Sequence, residues 1–289
     1  MSPADPDRWG PEGLLLIDKP GGITSHDAVA RVRRAVGTKK VGHAGTLDPM
    51  ATGLLVMGVG RGTRFLRFLG GLPKTYEATM RLGVETTTLD ADGDVVCTTT
   101  VDIDDDDLGR AVAGLVGESL QRPPAFSAVK VAGRKLYDAA RKGEALEAAP
   151  RPIRVDRFEL LDRRGDEADV LVVCSGGTYV RVLAADVGAI LGCGAHLTAL
   201  RRTAIGAFTV DDATPPDDPG VPAPIARAIE HLPVVRLDEE EARAASHGRV
   251  LGPSAIDGPF AVIGPGGELI GVYADDGPKA IPLVVLQRD

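Results

Sequence analysis

Cysteine is scarce in this chain: three residues, Cys97, Cys174 and Cys193, among 289. An odd, widely spaced set argues against a disulfide framework, lacks the paired spacing of a structural zinc site, and fits a reducing cytoplasm. Long apolar runs are missing too. No stretch approaches the roughly eighteen apolar residues of a membrane-spanning helix. The opening MSPADPDRWGPEG has no basic segment followed by an apolar one, so no signal peptide is expected there and 1–10 reads as a disordered lead. The five histidines are scattered and form no two-histidine helical motif, and no nucleophile elbow occurs. GVGRGT is glycine-rich without the spacing of a phosphate or dinucleotide loop. No internal repeat is present.

What is there begins with charge. A net charge of −8 argues at first against a nucleic-acid partner. Asp90, Asp92, Asp94, Asp102, Asp104, Asp105, Asp106 and Asp107, in one cation-free stretch, account for all of it. Elsewhere Arg31, Arg33, Arg34, Lys39 and Lys40 follow one another with no acid between them, and Arg122, Lys130, Arg134, Lys135, Arg141 and Lys142 are diluted only by Asp138. A local basic face matters more for phosphate contact than the total. Either cluster alone is equally a solvated helix face.

The apolar pattern alternates strands with helices. Leu14–Ile17 reads as a buried strand and Pro20-Gly21-Gly22 as a turn. Thr24 and Asp27 resemble a capping box for a helix whose face is Val29, Val32 and Val36, ended by Gly37. GLLVMGVG and DVLVVC are further strand candidates. KTYEATMRLG alternates, with Tyr76, Ala78, Met80 and Leu82 inward. In GTYVRVLAADVGAIL a stripe of Leu183, Val187, Ile190 and Leu191 predicts a helix, with Tyr179 and Arg181 at its start. ATPPDDPGVPAPIA reads as a linker or irregular connection, Ile225–Leu232 as one short helix, and the tail from about Pro233 as a small β-rich module with a hairpin at Gly264–Gly267. The pattern is that of an α/β (α+β) chain with helices packed on a mixed, largely antiparallel sheet.

One carboxylate stands out. Asp48 lies within VGHAGTLDPMATG, which has neither helical nor strand period. Pro49 biases it toward an extended backbone, and Gly42 and Gly45 allow close approach. A carboxylate kept ionised by a cation in a dry pocket is a competent nucleophile. On spacing alone an Asx-turn before proline explains Asp48 as well. So do a loop hydrogen bond for His43, a core position for Tyr76 and a surface cation for Arg181.

Read together, the segments say more. GHAGTLDPMATGLLVMGVGRGTR strongly resembles the signature of the TruB family of pseudouridine synthases. So do LLLIDKPGGITSHDAV, QRPPAFSAVKVAGRKLYDAARKG, CSGGTYVRVLAADVG and GAHLTALRRTAIGAF, in family order from about Leu14 to Phe208. The resemblance implies the pseudouridine synthase fold, with a central cleft, over 11–232, a thumb at about 122–150 and a small PUA-like C-terminal module at 233–289. It implies isomerisation of uridine to pseudouridine at tRNA position 55, in the T-stem loop, by a cytoplasmic monomer needing no metal or cofactor. Asp48 matches the catalytic aspartate, Arg181 the arginine that pairs with it and whose bidentate guanidinium would hold it ionised and aimed, and Tyr76 the tyrosine stacked on the target base. Tyr179, the backbone at Leu200 and Lys19 match other pocket positions, and His43 the residue that fills the space left by the flipped nucleotide. Arg122, Lys130, Arg134, Lys135, Arg141 and Lys142 fall on the thumb that closes on RNA. Gly176 stands where many relatives carry a basic residue, and Phe126 where tyrosine is common. The rival readings are a non-catalytic RNA-binding protein or tRNA-folding chaperone on the same scaffold, and a synthase acting on another RNA.

Overall fold

The computed structural model describes residues 10–286, apart from 128, 141, 143 and 145 and from the side chains at 135 and 138. Strands and helices are numbered in chain order. The main sheet runs β1 (Gly13–Lys19), β3 (Thr52–Val59), β12 (Ala195–Ile205), β4 (Lys74–Leu82), β11 (Glu167–Cys174), β10 (Arg151–Arg164) and β7 (Gly117–Gln121). β2 (Val41–Ala44) pairs with β3 and β13 (Phe208–Thr209) with β12. Two small hairpins stand apart from it: β5 (Val84–Thr86) with β6 (Val95–Thr98), and β8 (Lys130–Val131) with β9 (Arg134–Lys135). A second sheet orders β14 (Val234–Arg236), β15 (Pro259–Ile263), β16 (Leu269–Asp276) and β17 (Lys279–Val285). The helices are α1 (Ser25–Val36), α2 (Asp105–Ala113), α3 (Leu136–Ala140), α4 (Val180–Leu191) and α5 (Glu239–Ser246).

The local signals explain most of these elements. Thr24 and Asp27 form the reciprocal capping box that starts α1, worth about 1 kcal/mol, and Gly37 ends it at φ 69°. β4 buries Tyr76, Ala78, Met80 and Leu82, as its alternation requires. They join β11 residues Val170 and Val172, α4 residues Leu183 and Val187, and α2 residues Leu108 and Val112 in one core. On β1 and β3 the two faces feed different cores. Leu15, Ile17, Leu55 and Met57 meet Val29 and Val32 of α1. Leu14, Leu54 and Val56 meet Phe65 and Leu69, together with Ala261, Val272 and Val284 of the second sheet.

Three expectations are revised. Ile190 belongs to the predicted apolar stripe of α4 yet is 58% exposed. Gly188, two residues earlier and so on the opposite side of the helix, is the position pressed against β12, where a Cβ would stand 2.2 Å from the Ala195 nitrogen, and Ile190 is left on the outer side. The expected helix at Ile225–Leu232 is a 3-10 turn, Ile225–Ile229, hemmed in by Pro224 and Pro233. The proline-rich segment before it is no free linker. Leu14 and Ala223 exchange backbone hydrogen bonds of 2.8 and 2.7 Å, and Thr214 bonds Leu16, so the segment covers the outer edge of β1. Gly13 is needed there: at φ 141° a Cβ would lie 2.2 Å from the Ala223 carbonyl.

What positions the site is an irregularity in the sheet. The main-sheet pairings are antiparallel except β3 with β12, which are parallel and touch at only two pairs, Arg201 with Thr52 and Arg202 with Gly53. Upstream of Thr52, β3 gives way to the loop 45–51. Leu197 bridges Asp90 instead, and between that bridge and Arg201 the edge of β12 opens into a notch.

Candidate active site at the sheet notch

The loop carrying Asp48 is pinned along its length. The Ser25 hydroxyl donates to the Leu47 carbonyl at 3.0 Å and accepts from the Leu47 amide at 2.9 Å. The Pro49 carbonyl accepts from the Gly22 amide at 2.9 Å and from Lys19 Nζ at 3.3 Å. Arg202 donates through Nη2 to Gly45 O at 2.9 Å and through Nε to Leu54 O at 2.8 Å. A loop held at these points presents its carboxylate at low entropic cost.

Arg181 faces that carboxylate from the first turn of α4. Its Nη2 lies 3.5 Å from Asp48 Oδ2, with 5% of the arginine side chain and 34% of the aspartate exposed. The expected bidentate pairing is not made: both terminal nitrogens are shared with other acceptors, and the buried Nε has no hydrogen-bond partner among the described residues. Nη2 donates to Phe126 O at 2.6 Å, and Nη1 to Asp90 Oδ2 at 3.1 Å and Thr88 O at 3.3 Å. The Tyr179 ring lies 5.8 Å from the guanidinium carbon. Tyr179 caps α4, and Gln121 holds its backbone twice, accepting from the amide at 2.8 Å and donating to the carbonyl at 3.1 Å.

The electrostatics of the notch oppose one another. Burial raises the Asp48 pKa, Arg181 pulls it back, Asp90 and Asp92 push it up, and Lys19 lowers it. Burial also raises the Tyr76 phenol, against the charge of Arg202. Lys19 is fully buried, its ammonium bonded to the Pro20 and Ile23 carbonyls, and burial brings it down to about 8 while Asp48 supports its charge. His43, on β2, is lowered to about 4 by burial and by His26, whose ring meets it edge-on at 5.7 Å. Leu200 is half-buried on β12 opposite Ala78. With Met50, Thr52 and Thr79 it lines a groove of about 470 Å³ that starts at the notch.

The structure thus gathers Asp48, Arg181, Tyr76, Tyr179, Lys19, His43 and Leu200 around the notch. The cations of 122–142 stand differently. Arg122 pairs with Glu147 at 2.6 Å and Arg134 with Glu144, acids just beyond the basic run. Lys130 and Lys142 are exposed, and Arg141 and the Lys135 side chain lie outside the described residues. Gly176 abuts the Gly70 carbonyl, 2.1 Å from where a Cβ would be, with Lys74 Nζ 3.1 Å from the same point. Phe126 keeps an aromatic contact, edge-on to Tyr137 at 6.1 Å.

Sequence reasoning missed Asp90, Gln121 and Arg202. In the sequence Asp90 is one member of an acidic run, yet it is 3% exposed and bound to Arg181. The Thr88 hydroxyl, which also bonds it, gave no periodic signal. Among the described residues no group of three or more His, Cys, Asp or Glu is arranged to hold a metal ion, and no helix is long and apolar enough to cross a membrane.

The fold and its notch define a class. The chain superposes on the archaeal box H/ACA sRNP Nop10-Cbf5 complex with TM-score 0.72 at 25% identity, covering 95% of this chain and 85% of that one. On the Cbf5-Nop10-Gar1 complex the TM-score is 0.71 at 26% identity, covering 97% and 89%. These are neighbours of the pseudouridine synthase fold. The model of the TruB family pseudouridylate synthase N-terminal domain matches residues 33–180. That of the tRNA pseudouridylate synthase B C-terminal domain matches 181–217, and that of the tRNA pseudouridine synthase II C-terminal region 232–287. The chain is 49% identical over 286 residues to the tRNA pseudouridine synthase B of Mycobacterium sp. (strain KMS), with 96% of each covered. It is 44% identical over 283 residues to that of Corynebacterium efficiens, covering 94% of this chain and 95% of the other. It belongs to the TruB family.

Proposed function

We propose that this chain isomerises uridine to pseudouridine at position 55 in the T-stem loop of tRNA, with Asp48 as the catalytic carboxylate. The carrying observation is the Asp48 carboxylate at the mouth of the notch, partly open to solvent and 3.5 Å from a buried guanidinium whose remaining contacts are fixed. The relatives named tRNA pseudouridine synthase B, nearly half identical over almost the whole length, support the substrate class.

The reaction breaks the N1–C1′ bond, turns the uracil within the site and joins C5 to C1′; the C5 proton leaves and N1 gains one. Asp48 must be ionised to attack, whether at base or sugar. Arg181 favours that form against the burial that opposes it. Tyr76 would stack on the base and is the candidate for proton handling, while Tyr179, Lys19 and Leu200 complete the pocket. A uridine inside a folded loop has to be everted to reach Asp48, and His43 would occupy the space it leaves. The cations of 122–150 would meet the backbone phosphates. We divide the chain into a catalytic domain over 11–232, with 122–150 as its thumb, and a module over 233–289. The separate four-stranded sheet supports this division, and the core shared by the two sheets supports rigid docking of the module. The three free thiols fit a cytoplasmic enzyme, taken here as a monomer.

A non-catalytic RNA binder gives no reason for a pinned, half-desolvated carboxylate against Arg181. Asp48→Asn tests the choice. Pseudouridine should be lost from an unmodified tRNA transcript while tRNA affinity stays within about threefold, since one neutralised carboxylate outside the phosphate contacts is worth little to binding. Undiminished product would refute the assignment, and product at another uridine would refute position 55.

A further inference from the structure

Arg202 is among the largest fully buried side chains of the described residues, 1% exposed. Among the described residues it makes no ion pair; its guanidinium is bonded to the carbonyls of Gly45 and Leu54. Those two carbonyls bracket Asp48, one at the start of its loop and one beyond its end. Arg202 is also the cross-strand partner of Tyr76, and on β12 that position is opposite Gly53 of β3, in one of the two residue pairs that close the notch. Gly53 permits this junction: at φ 98° a Cβ there would stand 2.3 Å from the Arg202 carbonyl and 2.8 Å from its nitrogen.

A buried guanidinium without a carboxylate is an expensive way to fill a core, and an apolar side chain would do so more cheaply. Its surroundings add to the expense, since its charge also bears on Lys19, His43 and Lys74. What an apolar residue cannot do is reach two carbonyls nine residues apart with one planar fork. Building on the proposed isomerase reading, we propose that Arg202 is a positioning residue. It spans the Asp48 loop from Gly45 to Leu54 and holds that loop in register with Tyr76 on the neighbouring strand. It touches no substrate. It acts by setting where the carboxylate and the phenol stand relative to each other, and a displacement of about 1 Å there is enough to slow chemistry about 100-fold.

The test uses the full chain and an unmodified tRNA transcript. Arg202→Lys keeps the charge and loses the fork; Arg202→Gln keeps a planar donor and loses the charge. For comparison, Leu55→Ala or Ile17→Val, both in the core against α1, is chosen to match the loss in Tm. Arg202→Lys should lower the single-turnover rate about 100-fold, with tRNA Kd within about threefold, while the Tm-matched core variant keeps its rate within about threefold. In Arg202→Ala, free guanidinium should restore more rate than methylammonium does. A Lys variant as fast as its Tm-matched control, or a chain that folds with neither Lys nor Gln at 202, assigns Arg202 to the fold alone and overturns the proposal. An unmutated chain that makes no pseudouridine in tRNA overturns the functional reading instead, and that result precedes every variant.

Discussion

The notch and the thumb are both rich in cations, and they hold them in opposite ways. Arg181, Arg202 and Lys19 are buried, and each is bonded to backbone carbonyls that cannot move away. Arg122 and Arg134 have about half of their side chains exposed, and each pairs with a glutamate on its own flexible stem. An exposed pair is worth roughly 0.2–1 kcal/mol, so a phosphate oxygen can replace the glutamate at almost no net cost. A buried pair broken by removing one partner costs about 3–5 kcal/mol. The same side-chain chemistry is therefore fixed in one place and free to exchange its partner in the other.

The largest effect that would sharpen this contrast lies at Arg181. Arg181→Met leaves Asp90 buried without its cation and takes from Asp48 the charge that favours its ionised form. It should cost about 3–5 kcal/mol in urea unfolding and abolish pseudouridine formation. A loss below 1 kcal/mol would mean the notch cations are no more fixed than the thumb's.

Next comes the pH profile. Asp48 is raised by burial, and in the proposed mechanism only its ionised form attacks. Activity should therefore fall on acidification at a pH above the ordinary aspartate range, as the carboxylate takes up a proton. Lys19 lowers the Asp48 pKa, so Lys19→Met should carry that limb to still higher pH. A limb unmoved by Lys19→Met would break the electrostatic link between the two.

On the thumb the expected losses are in binding. Replacing Lys130, Arg134 and Lys135 together by Ala should weaken tRNA affinity and flatten its salt dependence by roughly 0.7–0.9 in log–log slope for each phosphate contact removed. Bound tRNA should react at an unchanged single-turnover rate. An unaltered slope would take the thumb out of RNA contact.

Much of this contrast was hidden in the sequence for physical reasons. Where one face is buried and the other wet, as in β4 and α1, periodicity identified the element and its inner residues. β10 gave no such signal, because its fourteen residues mix charges on both faces and hold only a few buried positions at one end. Asp48 and Arg181 were found through family-like blocks, 133 positions apart along the chain, and the fold brings them to 3.5 Å. Arg202 lay inside one of those blocks without distinction, since nothing in LRRTAIGAF separates the buried arginine from its neighbour Arg201, which pairs with Asp18 at the surface. Burial, which decides between them, follows from strand pairing to β3 and β4 and has no local signature. The basic run of the thumb misled in the opposite sense: its acids, Glu144 and Glu147, come after the cations in sequence and return to them in space.

The smallest predicted effect tests the contrast most directly. If the thumb arginines exchange glutamate for phosphate, the glutamates compete with RNA, and each bound complex carries the cost of breaking their pairs. Glu144→Gln and Glu147→Gln should then tighten tRNA binding by about 1.5- to 5-fold each, the equivalent of an exposed ion pair. The gain should be greatest at low salt, where the free pair is least screened. The single-turnover rate should stay the same, because neither residue is near Asp48 in the pinned part of the fold. Affinity that does not rise would mean that the pairs persist in the complex. The thumb arginines would then be scaffold, like those of the notch, and the distinction between the two regions would rest on burial alone, with no consequence for how RNA is held.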